Sequence, residues 1–157
     1  MSQTHFTPRL HDLLCFSLYA ANNAMNRLYV PLLEPLNLTY AQYVVLVVLW
    51  EADGLPVKQI GEKLGLETNT LTPLLKRMES AGLVKRRRNP ADERQVIVSL
   101  TSAGQTLQAR TAHIPACIAE ATEMKLAHVV DLRSTLADLR QSLAKNSGRK
   151  TALRPKA

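Results

Sequence analysis

Apolar residues recur at helical spacing up to Gly82 and at strand spacing immediately after it. Residues 83–88 and 95–100 are two short strand-like runs, and in the second Val96, Val98 and Leu100 alternate with polar neighbours. Between them Asn89-Pro90-Ala91-Asp92-Glu93-Arg94 is a turn-rich, charged tip, so the pair reads as one β-hairpin. Helical patterns lie on both sides, which makes the fold class mainly α with a small β-hairpin.

Just before the hairpin come two helices. Residues 57–64 form a short one with Val57, Ile60 and Leu64 on one side, and Gly65 breaks the chain after it. The second runs over residues 68–81 and is closed by Gly82 in the C′ position. Pro73 lies about one turn inside and has no N–H to donate, so either the first turn is distorted or the regular helix starts near Thr72. Further upstream, Leu10, Leu14, Ala21, Met25 and Leu28 predict a helix over residues 10–28, ended by Pro31 and Pro35. Thr39-Tyr40-Ala41-Gln42 matches a capping box. The β-branched run over residues 44–49 could also be a buried strand, but the cap before it and its continuation to Glu51 favour a helix. Asp53-Gly54 then reads as a turn. After the hairpin Thr101 caps a helix reaching about Ile114, where Pro115 interrupts it. A final helix over about residues 124–144 carries Leu126, Val129, Leu132, Leu136, Leu139 and Leu143.

The chain has 157 residues, enough for one compact core and too few for two independent domains of usual size. A single domain is therefore expected: helices about 10–35 and 102–145 around a central part of about 40–100, then a disordered tail at 146–157. The longest unbroken apolar run, residues 43–50, is too short to span a membrane. Asp12 directly before the apolar stretch, the lone Arg9 and Phe16 after Cys15 argue against a leader peptide, so the expected compartment is the cytoplasm. Two cysteines make no disulfide scaffold, and in a reducing compartment any pairing between them would be transient and chemical in purpose.

The formal charge of +7 is concentrated in two places. Residues 76–94 hold 7 basic and 3 acidic groups, residues 145–157 hold 5 basic and none acidic, and the rest of the chain is near neutral or slightly acidic. Such patches suit a polyanion, either nucleic acid or an acidic membrane surface. Topology favours the first. A short helix, a tight turn, a second helix and a basic two-stranded hairpin make a winged helix-turn-helix, whose second helix enters the major groove while the hairpin reaches the flanking minor groove or backbone. Double-stranded DNA is therefore the expected partner, without a membrane. Thr68, Asn69, Thr70 and Thr72 would offer small hydrogen-bonding side chains from the first turns of that helix, and Lys76 and Arg77 would reach phosphates or guanine. Of Arg86, Arg87 and Arg88, alternation lets at most two face one partner. Asp92, two residues before Arg94, is placed to hold that guanidinium in a fixed direction for a narrow groove.

By periodicity alone Cys15 is a small apolar residue packed in a helix. His113, Cys117 and His128 are a poor metal set, with no CxxC pair and no carboxylate at matching spacing, so neither metal nor cofactor is expected. With these elements in hand the chain resembles the MarR family of winged-helix regulators, through Leu71-Thr72-Pro73-Leu74-Leu75-Lys76-Arg77-Met78-Glu79-Ser80-Ala81-Gly82-Leu83-Val84 and through Asp92-Glu93-Arg94. Leu14-Cys15-Phe16-Ser17-Leu18-Tyr19 and Leu38-Thr39-Tyr40-Ala41-Gln42-Tyr43 resemble one branch of it, the organic hydroperoxide resistance regulators. Ile114-Pro115-Ala116-Cys117 extends the likeness to the two-cysteine type.

The resemblance implies a homodimer with interlaced first and last helices, and a repressor sitting on a pseudo-palindromic operator. It implies that organic hydroperoxides oxidise Cys15, that Tyr29 and Tyr40 donate hydrogen bonds to its sulfur within one chain or across the dimer, and that Cys117 resolves the oxidised sulfur, a role small thiols fill in one-cysteine members. Tyr19, one helical turn from Cys15, either packs or lines the same pocket. Two other readings stay open at this point. One is a regulator released by a reversible aromatic ligand held among the tyrosines. The other is a thiol peroxidase, which lacks a general base or cation beside Cys15 and leaves the hairpin unexplained.

Overall fold

The computed structural model describes residues 9–147; the basic tail expected over residues 146–157 lies outside them beyond Ser147. Two compact units part between Ile114 and Pro115. The first opens with a 3-10 turn, Leu10–Asp12, and helix α1, Leu14–Leu33. This helix starts later than its apolar stripe predicts and runs through Pro31, which does not end it. Pro31 lies in the last turn, so only the bond to the Arg27 carbonyl is forfeited, and the Glu34 N–H closes the helix on Val30 O. Pro35 falls in the following 3-10 turn, Glu34–Leu36, where a missing N–H costs nothing. Asn37, at φ 53°, then turns the chain toward α2.

Helix α2, Tyr40–Glu51, is held at its start by the reciprocal bonds of the capping box. The Thr39 N–H donates to Gln42 Oε1 at 2.8 Å and the Gln42 N–H to Thr39 Oγ1 at 3.3 Å. The β-branched run is thus helical, and it buries Tyr43, Val45, Leu46, Val48 and Leu49 as the central rod of the core. Two-residue strand β1, Leu55–Pro56, follows the bend at Gly54, and no periodicity announces it. Helix α3, Val57–Leu64, ends on Gly65 in the left-handed conformation.

Helix α4 spans Thr68–Ser80 and contains Pro73 without breaking. Its first turn is regular, with the N–H groups of Thr70 and Leu71 both on Glu67 O, so the helix does not wait for Thr72. The carbonyl that Pro73 leaves without a helical donor is that of Asn69, on the exposed first turn where water can reach it. Gly82 closes α4 in a Schellman motif, Leu83 N–H on Met78 O and Gly82 N–H on Glu79 O.

Strands β2, Val84–Asn89, and β3, Asp92–Leu100, form the hairpin. The turn is shorter than the expected six-residue tip. Asn89 pairs with Asp92 across Pro90 and Ala91, with an irregularity between Arg88 and Asn89, so Asp92, Glu93 and Arg94 belong to β3. A solvated two-stranded ribbon needs no apolar alternation to extend its ladder, and the pattern therefore understates its length. β3 is the middle strand of a sheet ordered β1-β3-β2, with Leu55 opposite Val98. Asp53 Oδ1 accepts the Leu100 N–H at 2.8 Å and ties this strand to the end of α2.

Thr101 caps α5, Ser102–Thr111, by accepting the Gly104 N–H, and its hydroxyl donates to Gly82 O at 2.6 Å. The Trp50 Nε1–H donates to Gly104 O at 3.0 Å, locking α2 to α5. Gly104 has no side chain because a Cβ there would strike the Leu83 carbonyl oxygen. Ile60, Leu71, Leu75, Met78, Val84 and Val98 join α2 in the core.

Helix α6, Ile114–Ala121, carries Pro115 as its second residue. Pro115 thus begins a helix instead of interrupting one, since its missing N–H belongs to a first turn that has no acceptor for it. In the second unit α7, Leu126–Ser147, exposes Leu126, Val130, Leu132, Leu136 and Leu143. Among the described residues no single helix is long and apolar enough to cross a membrane.

Candidate nucleic-acid interface and cysteine site

Burial divides α4 into two faces. Leu71, Leu74, Leu75 and Met78 are buried, which leaves Thr68, Asn69, Thr70, Lys76 and Arg77 exposed and Thr72 half-buried at the margin. The hairpin leans on this helix through Glu79. Its carboxylate accepts the Arg86 backbone N–H at 2.9 Å and approaches the Arg86 guanidinium at 3.4 Å. Arg86 is consequently half-buried and braces the hairpin, while Arg87 and Arg88 are exposed. Thr68, Thr72, Arg86 and Arg94, singled out from sequence, border one cleft of about 300 Å³ at the foot of the hairpin.

Asp92 does not hold the Arg94 guanidinium. Its Oδ1 accepts the Arg94 backbone N–H at 3.1 Å and its Oδ2 accepts Gln95 Nε2 at 3.0 Å. The two-residue offset is that of an Asx turn, in which the nearest donor is the main chain. Asp92 therefore sets the path of the strand that carries Arg94. Lys58 and Gln95, which the sequence reading passed over, border the same cleft.

The other candidate residues fall at two ends of α1. Cys15 lies in the first turn and is exposed, as is Tyr19 one turn on. Fourteen residues of helix separate Cys15 from Tyr29, about 21 Å of axial rise, so one chain does not bring them together. Tyr29 and Tyr40 do meet, with ring centroids 4.6 Å apart, and Tyr43 stacks behind them at 5.9 Å from Tyr29. Asn26, Tyr29, Leu33, Leu38 and Tyr40 border a cleft of about 430 Å³ between α1 and α2. Burial, with Tyr40 and Tyr43 adding to it, pushes the Tyr29 phenol up to about 12, so its hydroxyl keeps its proton. Burial also raises Tyr43, a member of this cluster that its place in an apolar run concealed. Cys117 is a half-buried free thiol in α6. No group of three or more His, Cys, Asp or Glu side chains among the described residues is arranged to hold a metal ion.

Residues 27–110 match the family described as transcriptional regulator SarA/Rot. The organic hydroperoxide resistance transcriptional regulator of Bacillus subtilis is 44% identical over 135 residues, covering 86% of this chain and 92% of that protein. The chain belongs to the MarR-type winged-helix transcriptional regulators. A MarR-family regulator from Rhodococcus superposes with TM-score 0.73 at 25% identity, over 85% of this chain and 96% of that one. Reduced AbfR bound to DNA, a protein of Staphylococcus epidermidis, superposes with TM-score 0.75 at 36% identity, over 87% of this chain and 94% of its own. AbfR has also been solved with a disulfide formed, with TM-score 0.61 and 39% identity over 83% and 92% of the two chains. As a member of this family the chain is a transcription regulator and not an enzyme, which removes the thiol peroxidase reading.

Proposed function

We propose that this protein is a redox-sensing repressor, bound to operator DNA as a homodimer and released when an organic hydroperoxide oxidises Cys15. In this reading Thr68, Asn69, Thr70, Thr72, Lys76 and Arg77 meet the major groove. Arg86 and Asp92 shape the hairpin, and Arg94 enters the flanking minor groove. Residues of about 10–35 and 102–145 supply the dimer contacts, where the exposed apolar side chains of α1 and α7 find cover.

The observation that carries the reading is the division of the thiol site between the two ends of α1. A two-fold axis crossing α1 near its middle would set Cys15 of one protomer level with the Tyr29–Tyr40 pair of its partner. Two neutral hydroxyls could then hydrogen-bond a thiolate without adding charge, with Tyr19 flanking it. Leu14, Leu18 and Met25 would give an apolar wall suited to alkyl hydroperoxides. The relatives' named association with organic hydroperoxide resistance, and the reduced and disulfide states of AbfR, support the same chemistry.

The Cys15 thiolate attacks the terminal oxygen of ROOH. The O–O bond breaks, the alkoxide leaves and takes a proton as alcohol, and sulfur becomes a sulfenic acid. The Cys117 thiolate then attacks that sulfur, and hydroxide departs and is protonated to water as the disulfide forms. A small thiol reaching the sulfenic acid first gives a mixed disulfide instead. A cytoplasmic thiol reductant returns both cysteines to thiols by thiol–disulfide exchange and leaves as its own disulfide. A disulfide needs Cα atoms within about 7 Å, so if reduced Cys15 and Cys117 lie farther apart than this its closure draws helices together. Two reading helices must meet major grooves about 34 Å apart, and a rotation of either one removes that match. A loss of about 3 kcal/mol of binding lowers affinity more than a hundredfold.

The test is a gel shift on the DNA upstream of the protein's own coding region, with and without cumene hydroperoxide. Wild-type protein leaves the DNA and runs as a disulfide-linked species or mixed disulfide under non-reducing conditions, while Cys15→Ser stays bound. Release of Cys15→Ser at the wild-type dose overturns the sensor role. A reversible aromatic ligand is the second reading, favoured by the cleft beside Tyr29 and Tyr40. Release of Cys15→Ser by a phenolic compound without peroxide would select it.

A further inference from the structure

The cleft at the foot of the hairpin holds more positive charge than the second helix and the hairpin account for. Lys58 comes to it from the first turn of α3, Thr68 and Thr72 from α4, and Arg86, Arg94 and Gln95 from the sheet. Three cations and two hydroxyls from four elements thus converge on a space of about 300 Å³. Of the acidic groups nearby, Glu79 pairs with Arg86 and offsets that one cation, while Asp92 accepts from the Arg94 backbone and Gln95 and leaves the Arg94 guanidinium without a carboxylate partner. Glu62 meets Lys58 only at 3.9 Å, with both side chains largely exposed, a weak pair that a better anion displaces.

One atom points to what fills the space. Arg86 Nε is buried and has no hydrogen-bond partner, although Glu79 holds the other side of the guanidinium. Buried donors are seldom left unpaired, so Glu79 leaves Arg86, a residue bordering the cleft, with hydrogen-bonding capacity unused.

We infer that this cleft seats one backbone phosphate of duplex DNA and that Lys58, outside the second helix and the hairpin, is a DNA-binding residue. The inference rests on the operator-binding reading and deepens it. The phosphate oxygens accept from the Arg86 guanidinium, from Thr68 and Thr72 and from Lys58, whose flexible stem swings from Glu62. Such a contact carries no base information, so Lys58 fixes the register of the head on any duplex and contributes equally to specific and non-specific binding.

Fluorescence anisotropy with the full chain tests it, using an operator duplex and a scrambled duplex of equal length across about 50 to 200 mM KCl. Lys58→Gln should weaken binding by a similar factor on both duplexes. It should also flatten the plot of log affinity against log salt by about 0.9 for each chain bound. Lys58→Arg should restore the slope. Lys63→Gln removes an equal charge from the other end of α3, where Lys63 approaches Glu51, and should leave the slope as in wild type. An unchanged slope in Lys58→Gln, or an equal flattening in Lys63→Gln, overturns the phosphate seat while operator binding stands. A wild-type chain that binds neither duplex overturns both.

Discussion

Replacing Gly104 with Ala pits a local gain against a tertiary clash, and the structure says which wins. In an exposed helix the change would stabilise by about 1 kcal/mol, the ordinary helix-propensity difference. At Gly104 the new Cβ meets the backbone oxygen of Leu83, which cannot swing aside. That oxygen accepts the Thr101 N–H at 3.1 Å. Relief therefore means lifting the first turn of α5 from the base of the hairpin, at the expense of the Thr101 cap and of the Trp50 bond to Gly104 O. Overpacking of this kind costs about 1–3 kcal/mol net. For a chain of this size each kcal/mol moves the midpoint by about 2–4 °C, so Tm should fall by roughly 2–12 °C. Thermal melts followed by far-UV circular dichroism measure the shift, and amide exchange at Thr101 and Gly104 should quicken along with it. A Tm equal to or above wild type refutes the packing argument, because it would mean that α5 moves away at no cost.

Two further outcomes follow from the tyrosines and the hairpin. Tyr29 has a folded-state pKa raised from 10 to about 12, so its neutral form contributes stability that is intact below pH 10 and lost as pH rises through about 12. Phenolate absorbance should show late-titrating tyrosines, one fewer in Tyr29→Phe, and that variant should lose less stability between pH 10 and 12. Asp92→Ala removes a negative charge from the hairpin proposed to face DNA, yet it should weaken operator binding. It frees the Arg94 backbone N–H and Gln95 from their acceptor, and an anisotropy titration showing tighter binding would count against that positioning role.

Features whose causes lie within a few residues are legible in the sequence. Thr39 and Gln42 complete each other's bonds three residues apart, and Gly82 ends α4 through its own backbone angle. Prolines were misread for the opposite reason. Pro31, Pro73 and Pro115 each remove one N–H, and whether that ends a helix depends on which turn they occupy, a fact settled by packing elsewhere. β1 left no trace because Leu55 and Pro56 are strand only through Val98 and Ile97, more than 40 residues away. At the hairpin, the spacing of Asp92 and Arg94 revealed a partnership but not which Arg94 atom took part. Cys15 and Tyr29 were named together from family likeness, and helix length alone shows that one chain keeps them apart.

The grip of Glu79 on both the main chain and the side chain of Arg86 has a mechanical consequence. Together with β3, clamped between β1 and β2 and pinned at Leu100, it makes helix and hairpin a single tool with no joint between them. Such a tool cannot loosen one prong while the other keeps its hold. In the proposed complex any tilt delivered to it is felt in both grooves at once, and departure from the duplex becomes abrupt where a hinged hairpin would have made it gradual.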